Sequence, residues 1–192
     1  IKYALDLHNY QGLVLGLSGL SSFASIPFWS YVSLKIGKRN TWQISMSLLL
    51  LAFALFYFYQ INSLLELIII VCLIGLASGA GGVLFWSMLP DTIEYGEWKS
   101  GIRSESSLYG FMTFAQKSSI AVAALILGVL LTLINFSPNE VQSPETLRGL
   151  KNIMSIIPAS GIAISIFLMY FYPINSKYHK ELLFNIEAKK NG

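Results

Sequence analysis

Charge is what this sequence is short of. Asp, Glu, Lys and Arg make up 12% of its 192 residues and hydrophobic residues 54%, with a mean hydropathy of +0.60. A soluble domain of this length would carry roughly a quarter charged residues, so an ordinary soluble fold is excluded. Cysteine is nearly absent: Cys72 stands alone, which rules out an intrachain disulfide and a cysteine metal cluster and leaves it as a small packing residue. There are two histidines, His8 and His179. No cleavable leader or lipidation motif is visible and the first residue is not Met, which reads as a chain cut at its start.

What is there is a set of long apolar runs. Five segments, roughly 11–34, 41–60, 67–89, 107–134 and 152–173, lack charge apart from one lysine. Each can cross a hydrocarbon core about 30 Å thick at about 1.5 Å per residue. The fold class expected is therefore an all-α membrane protein, a five-span bundle over 11–173. Residues 1–10, "IKYALDLHNY", read as the outer end of a preceding transmembrane helix with its loop. Five spans plus such a stump suggest half of something larger. Residues 90–106 read as a cytoplasmic loop within the bundle, and 174–192 as a cytoplasmic tail with the makings of a short amphipathic helix on the inner surface.

Orientation follows from Lys and Arg, which accumulate in cytoplasmic loops. Lys35, Lys38, Arg39, Lys99, Arg103, Lys177, Lys180, Lys189 and Lys190 fall in one set of alternate loops, against Lys2, Arg148 and Lys151 in the other. The loops with Lys35 and Arg103 and the C-terminus should face the cytoplasm, in the cell membrane. The net charge of +3 mostly reflects this bias and argues neither for nor against nucleic acid; no nucleic-acid partner is expected. His8 and His179 then lie on opposite sides of the membrane and cannot form one metal site or proton relay. An enzyme is not expected, nor a catalytic residue, a bound metal or a cofactor.

Within the spans, small residues recur at four-residue spacing, Gly12 with Gly16 and Gly75 with Gly79. Such rows let helix backbones approach closely in lipid. Pro27 and Pro158 would kink spans one and five. Trp29, Trp42, Trp86, Tyr57, Tyr59, Tyr170 and Tyr172 lie near predicted span ends, and most read as interfacial anchors.

Lys117 is the exception to the apolar pattern. It lies about ten residues into its span, roughly 15 Å from the cytoplasmic side. A lysine stem of about 6 Å is too short to snorkel from there, and an ammonium against lipid costs about 2.5–3.5 kcal/mol on insertion scales. It must face a polar interior. Thr113 is one turn earlier on the same helix face, Tyr109 one turn before that, and Gln116 adjoins. Hydroxyls, an amide and one cation suit a cavity that recognises a hydroxyl-rich ligand or an anion. No Asp or Glu lies deep in any span, so a counter-charge would have to come from outside this chain. Two readings stay open, a structural ion pair locking two bundles together and a transport-site lysine. A retinal-type Schiff base is disfavoured because no buried carboxylate accompanies it.

The connector "DTIEYGEWKSGIRSESS" places Asp91, Glu94 and Glu97 at three-residue spacing, followed by Lys99, Arg103 and Glu105. If helical, the acids share a face and could pair with Lys35, Lys38 or Arg39 as a cytoplasmic gate. The alternative is a solvated connector whose ion pairs are worth about 0–1 kcal/mol each.

"DTIEYGEWKSGIRSESSLYGF", the following "FAQK" and "NFSPNEVQSPETLRGLKNIMSIIPA" closely resemble the C-terminal half of the glycoside-pentoside-hexuronide:cation symporters, the melibiose permease-like branch of the major facilitator superfamily. The resemblance covers 90–173 strongly, while 1–89 fit by hydropathy, span order and the basic turn "KIGKRN". It implies the C-terminal six-helix half of a twelve-helix fold, five full spans plus the end of a sixth, working by alternating access. The implied activity is secondary active symport of a sugar or glycoside with Na+ or H+. The implied partners are that small molecule, the coupling cation, the lipid bilayer and the N-terminal half of the same transporter, which would hold the cation site. By the same resemblance Lys117 and Thr113 would lie in the central cavity, with Gln116 beside them, and Asp91, Glu94, Arg103 and Glu105 would form a cytoplasmic charge network that helps close the inner side. Met112 stands where the melibiose carrier has a polar residue, so the substrate need not be the same. The alternatives are a lysophospholipid:cation symporter of the same superfamily, a non-transporting membrane receptor and a degenerate half-transporter.

Overall fold

The computed structural model describes residues 10–174 together with 178, 181, 184 and 185. The expected end of a preceding helix and most of the tail, His8 and His179 included, lie outside the described residues. Five helices follow one another: α1 (Gln11–Ile36), α2 (Lys38–Phe58), α3 (Leu64–Ser100), α4 (Glu105–Leu133) and α5 (Pro144–Tyr170). All five are long and apolar enough to cross a membrane, and the described residues contain no strand.

Local chemistry sets the boundaries. Gly37 alone separates α1 from α2, at φ 85°. Ser63 caps α3 by accepting from the Glu66 amide, while the Glu66 carboxylate accepts from the Asn62 amide at 2.8 Å, a reciprocal arrangement that satisfies two otherwise orphaned donors. Gly101, left-handed at φ 75°, ends the same helix and donates its N–H to the Glu97 carbonyl. Ser143 caps α5, and Pro144 occupies its first turn, where a missing N–H costs nothing.

One expectation is corrected here. The stretch 90–106, read as a loop, is helical as far as Ser100. Pro90 removes a single donor, the bond that would have reached the Trp86 carbonyl, and the residues after it are good enough helix formers to carry the ladder on. Only 101–104 are irregular. At 37 residues, α3 is about 55 Å long.

Helix α3 is also the centre of the packing. Gly75 and Gly79 bring its backbone against α1: a Cβ on Gly75 would stand 2.5 Å from the Ser18 carbonyl oxygen, and one on Gly79 would stand 2.5 Å from that of Ser22 and overlap Ser25 Oγ. The glycine row thus meets a serine row, as close helix approach in lipid requires. Gly12 and Gly16, at the same spacing, have open space beside them. Spacing alone does not make a contact.

Below this seam Trp29, Ala80, Leu84 and Met88 form a buried cluster flanked by Val32, Trp42, Met169 and Tyr172. Met46, Leu49 and Ala77 form a second, against Ile162 and Ile166 of α5. Trp29 is therefore a core residue, 5% exposed, and not an interfacial anchor. Its indole N–H donates to the Leu76 carbonyl at 2.7 Å, which removes the polar reason for seeking the interface. Trp42 likewise donates to Ser165 Oγ at 3.0 Å, joining α2 to α5.

Helix α4 differs from the rest. None of its residues is buried, and it touches the bundle mainly at its ends, where Gly149 of α5 lies against the Ile134 side chain and Thr146 Oγ1 donates to the Ile134 carbonyl at 2.9 Å.

Candidate functional site

The residues singled out in the sequence fall into two places. The first is α4 itself. Thr113 is half-buried, whereas Tyr109 and Lys117, one turn to either side on the same face, and the adjoining Gln116 are exposed. Lys117 makes no hydrogen bond or ion pair among the described residues. It stands twelve positions from Glu105, the acid nearest along its helix, or about 18 Å at helical rise. The arrangement is an uncovered strip of hydroxyl, amide and ammonium groups on a helix that runs on from Ile120 to Leu133 almost wholly in Ala, Val, Leu and Ile.

The second place is the far end of α3. Lys38, the first residue of α2, reaches across and donates to both carboxylate oxygens of Asp91 at 2.8 Å, and to the Ser87 carbonyl at 2.7 Å. The Asp91 side chain is one-tenth exposed and that of Lys38 one-third. The single-residue Gly37 turn makes this pairing available, because it starts α2 beside the last turns of α3. Of the other basic residues offered by that turn, Lys35 lies over the Tyr31 ring, while Arg39 lies over the Tyr170 ring and donates to the Tyr170 carbonyl at 2.7 Å.

Arg103 belongs to a separate cluster. Its guanidinium donates to Glu97 at 2.9 Å and to Glu105 at 3.1 Å. These two carboxylates, Glu97 first, raise its pKa above the ordinary arginine value. Glu94 is half-buried on α3 between the two clusters. Of the four residues grouped as one network, Arg103 and Glu105 meet directly while Asp91 turns to α2. Glu97 completes the Arg103 cluster and was not among the four. The signal was the intervening Gly101, whose left-handed conformation folds the chain back so that residues six apart come together.

Among the described residues no group of three or more His, Cys, Asp or Glu could hold a metal ion. A strip of neutral hydrogen-bonding groups around one cation can bind, orient and discharge a polar solute; it offers no activated nucleophile.

The fold defines a multi-pass, all-α membrane protein. Residues 1–176 match the family model described as "MFS/sugar transport protein", and the chain belongs to that family. It is similar to the "Glucuronide carrier protein homolog" of Escherichia coli (strain K12), 28% identical over 99% of this chain and 42% of the relative. A candidate sulfoquinovose importer of the same organism is 35% identical over 81% of this chain and 33% of its own length. The "Isoprimeverose transporter" of Lactiplantibacillus pentosus is 25% identical over 98% and 39%. The chain spans less than half the length of each.

Proposed function

We propose that the protein is a secondary active transporter that moves a sugar or glycoside with a coupling cation, Na+ or H+, by alternating access in the cell membrane, with its C-terminus cytoplasmic. The family and the sugars for which its relatives are named support the substrate class. The observation that carries the mechanism is the uncovered α4 strip: Lys117 and Gln116 are exposed beside Thr113 on a helix with no buried residue. An unpaired ammonium at mid-span depth is tolerated only where it faces a polar cavity. In this reading α4 lines the central cavity, and an N-terminal half of the same transporter covers it, supplies the cation site and answers Lys117 with a carboxylate.

The charges at the end of α3 act as clamps on the cytoplasmic side. Lys38 with Asp91 fixes the inner end of α2 to α3, and Arg103 with Glu97 and Glu105 fixes the start of α4. Both hold this half together as a unit that rocks against the other.

The test is Lys117→Ala in the native product, with accumulation of sugar followed against a cation gradient. Accumulation should be lost while the protein is still expressed and inserted. Undiminished accumulation would remove Lys117 from the site and the proposal with it.

A further inference from the structure

Helix α3 carries its buried stripe past the end of the bundle. Leu84, Met88, Asp91, Tyr95 and Trp98 follow one another at spacings of four, three, four and three, which places them on one face of a helix. The first three are buried, with Leu84 and Met88 packed against Trp29 of α1, Trp42 of α2 and Met169 of α5. Those helices stop at this level: α1 ends at Ile36, α2 begins at Lys38, whose ammonium meets Asp91, and α5 ends at Tyr170, whose carbonyl accepts from Arg39. From Thr92 to Ser100 α3 runs on past all three, for about 14 Å.

Tyr95 and Trp98 are nevertheless half-buried. The residue packed on both is Tyr178, from the chain beyond α5. Its ring centroid lies 6.3 Å from that of Tyr95, tilted by 50°, and 6.3 Å from that of Trp98, edge-on at 85°. Tyr95 and Trp98 are themselves 6.2 Å apart, and the Lys99 ammonium lies 6.0 Å from the Tyr95 ring centroid. Offset and edge-on ring pairs at such distances are attractive beyond the area they bury. Ile174, four residues earlier, is buried as well. Glu97, between the two rings in sequence, takes the Arg103 guanidinium. The last turns of α3 are thus joined on one side to the chain leaving α5 and on another to the start of α4.

We propose that the face of α3 bearing Tyr95 and Trp98 is the docking surface for this chain's own C-terminal segment, seated through Tyr178, and that this seat makes the ends of α3 and α5 move as one body through the transport cycle. The docking stands on the ring geometry, whereas its role in the cycle rests on the transport reading above. Each ring pair contributes about twofold to tenfold to the docked population, so losing both lowers it about fourfold to a hundredfold. The turn that carries Glu97 then rests on the Arg103 ion pairs, whose arginine is half-exposed, and exposed ion pairs hold weakly. A loosened inner end leaks solute. Leakage drains a gradient but spares exchange between two filled sides.

The experiment uses the native product with Cys72→Ser, reconstituted in proteoliposomes. Tyr95→Cys paired with Tyr178→Cys should be joined by a short bifunctional maleimide in the folded protein and not after denaturation in SDS. Absence of that cross-link overturns the docking and leaves Tyr95 and Trp98 as anchors in the lipid headgroups. Labelled methyl glucoside, methyl xyloside and methyl glucuronide are then offered under an inward cation gradient, and whichever the wild type accumulates most is followed. Tyr178→Ala should lower its steady-state accumulation severalfold while exchange proceeds at the wild-type rate, and Tyr178→Phe, which keeps the ring, should restore accumulation. The cross-linked protein should accumulate as well as the same protein before cross-linking. Full accumulation by Tyr178→Ala overturns the proposed role, and so does loss of accumulation on cross-linking, because the seat must then open during the cycle. Should Tyr178→Ala not insert, the cross-linked protein decides alone. Uptake of none of the three sugars by the wild type takes away the transport reading and the role in the cycle with it, while the cross-link still decides the docking.

Discussion

Adding a single methyl group at Gly79 tests the central seam of the fold most sharply. The Cβ of Gly79→Ala would stand 2.5 Å from the Ser22 carbonyl oxygen and overlap Ser25 Oγ. The serine hydroxyl can rotate away, but the carbonyl belongs to the α1 backbone. An ordinary carbon to carbonyl-oxygen contact is about 3.3 Å, so α1 has to retreat by about 0.8 Å. Overpacking of this kind costs about 1–3 kcal/mol, against which Ala returns up to about 1 kcal/mol of helix propensity. The net expectation is a loss of about 1–2 kcal/mol. Gly82→Ala is the control: it lies on the same helix with open space around its Cβ, so it gains the propensity without the clash. Gly75→Ala meets the Ser18 carbonyl at 2.5 Å, one turn away. The same withdrawal of α1 relieves both contacts, so the Gly75→Ala/Gly79→Ala pair should cost less than the sum of the singles. Unfolding of the native product by SDS titration in mixed micelles measures all four variants. If Gly79→Ala is as stable as Gly82→Ala, the close approach of α1 and α3 is wrong and the argument fails.

The remaining predictions concern two of the polar contacts between helices. A double-mutant cycle with Lys38→Ala and Asp91→Ala should give a coupling of about 1–3 kcal/mol in the same assay, because the pair is directly bonded and mostly shielded from water; purely additive losses would mean that the two side chains do not meet. Trp29→Phe, which keeps the ring but strands the Leu76 carbonyl, should cost about 1 kcal/mol, and Trp29→Ala about 3–5 kcal/mol. Trp86→Phe, at a ring that is 44% exposed, should be near neutral, and an equal loss at both tryptophans would contradict the assignment of Trp29 to the core.

The spans were legible because a charge-free run of twenty residues has few alternatives to a membrane helix. The end of α3 was not, because Asp, Glu, Lys and a proline in succession look like a surface connector, although all but the proline are tolerated in an exposed helix. Trp29 was misjudged for a different reason: position along a span says nothing about which face of the helix a side chain occupies. The glycine rows show the same limit. Gly75 with Gly79 and Gly12 with Gly16 are indistinguishable as sequence, and only the opposing Ser18, Ser22 and Ser25 separate a packed row from an open one. The pairing of Lys38 with Asp91 was one of several combinations the charges permitted. Gly37 selected it by starting α2 next to α3, leaving Arg39 to stack on Tyr170. For Lys117 the sequence supplied depth and the neighbours on its own helix, which is as far as a helical wheel reaches.

The length of α3 gives this bundle a mechanical property. Ser100 stands 23 residues beyond Ala77, about 35 Å along the axis from the middle of the apolar stretch. A rigid tilt of about 10° there would sweep the far end through about 6 Å, on the scale of one helical turn. Pro90 lies part-way along this arm at the point where one backbone bond is missing, and the Lys38–Asp91 clasp is fastened one residue further on. The clasp thus braces the weakest joint of the longest arm, so a modest movement within the bilayer reaches the Arg103 cluster as displacement instead of being absorbed as a bend.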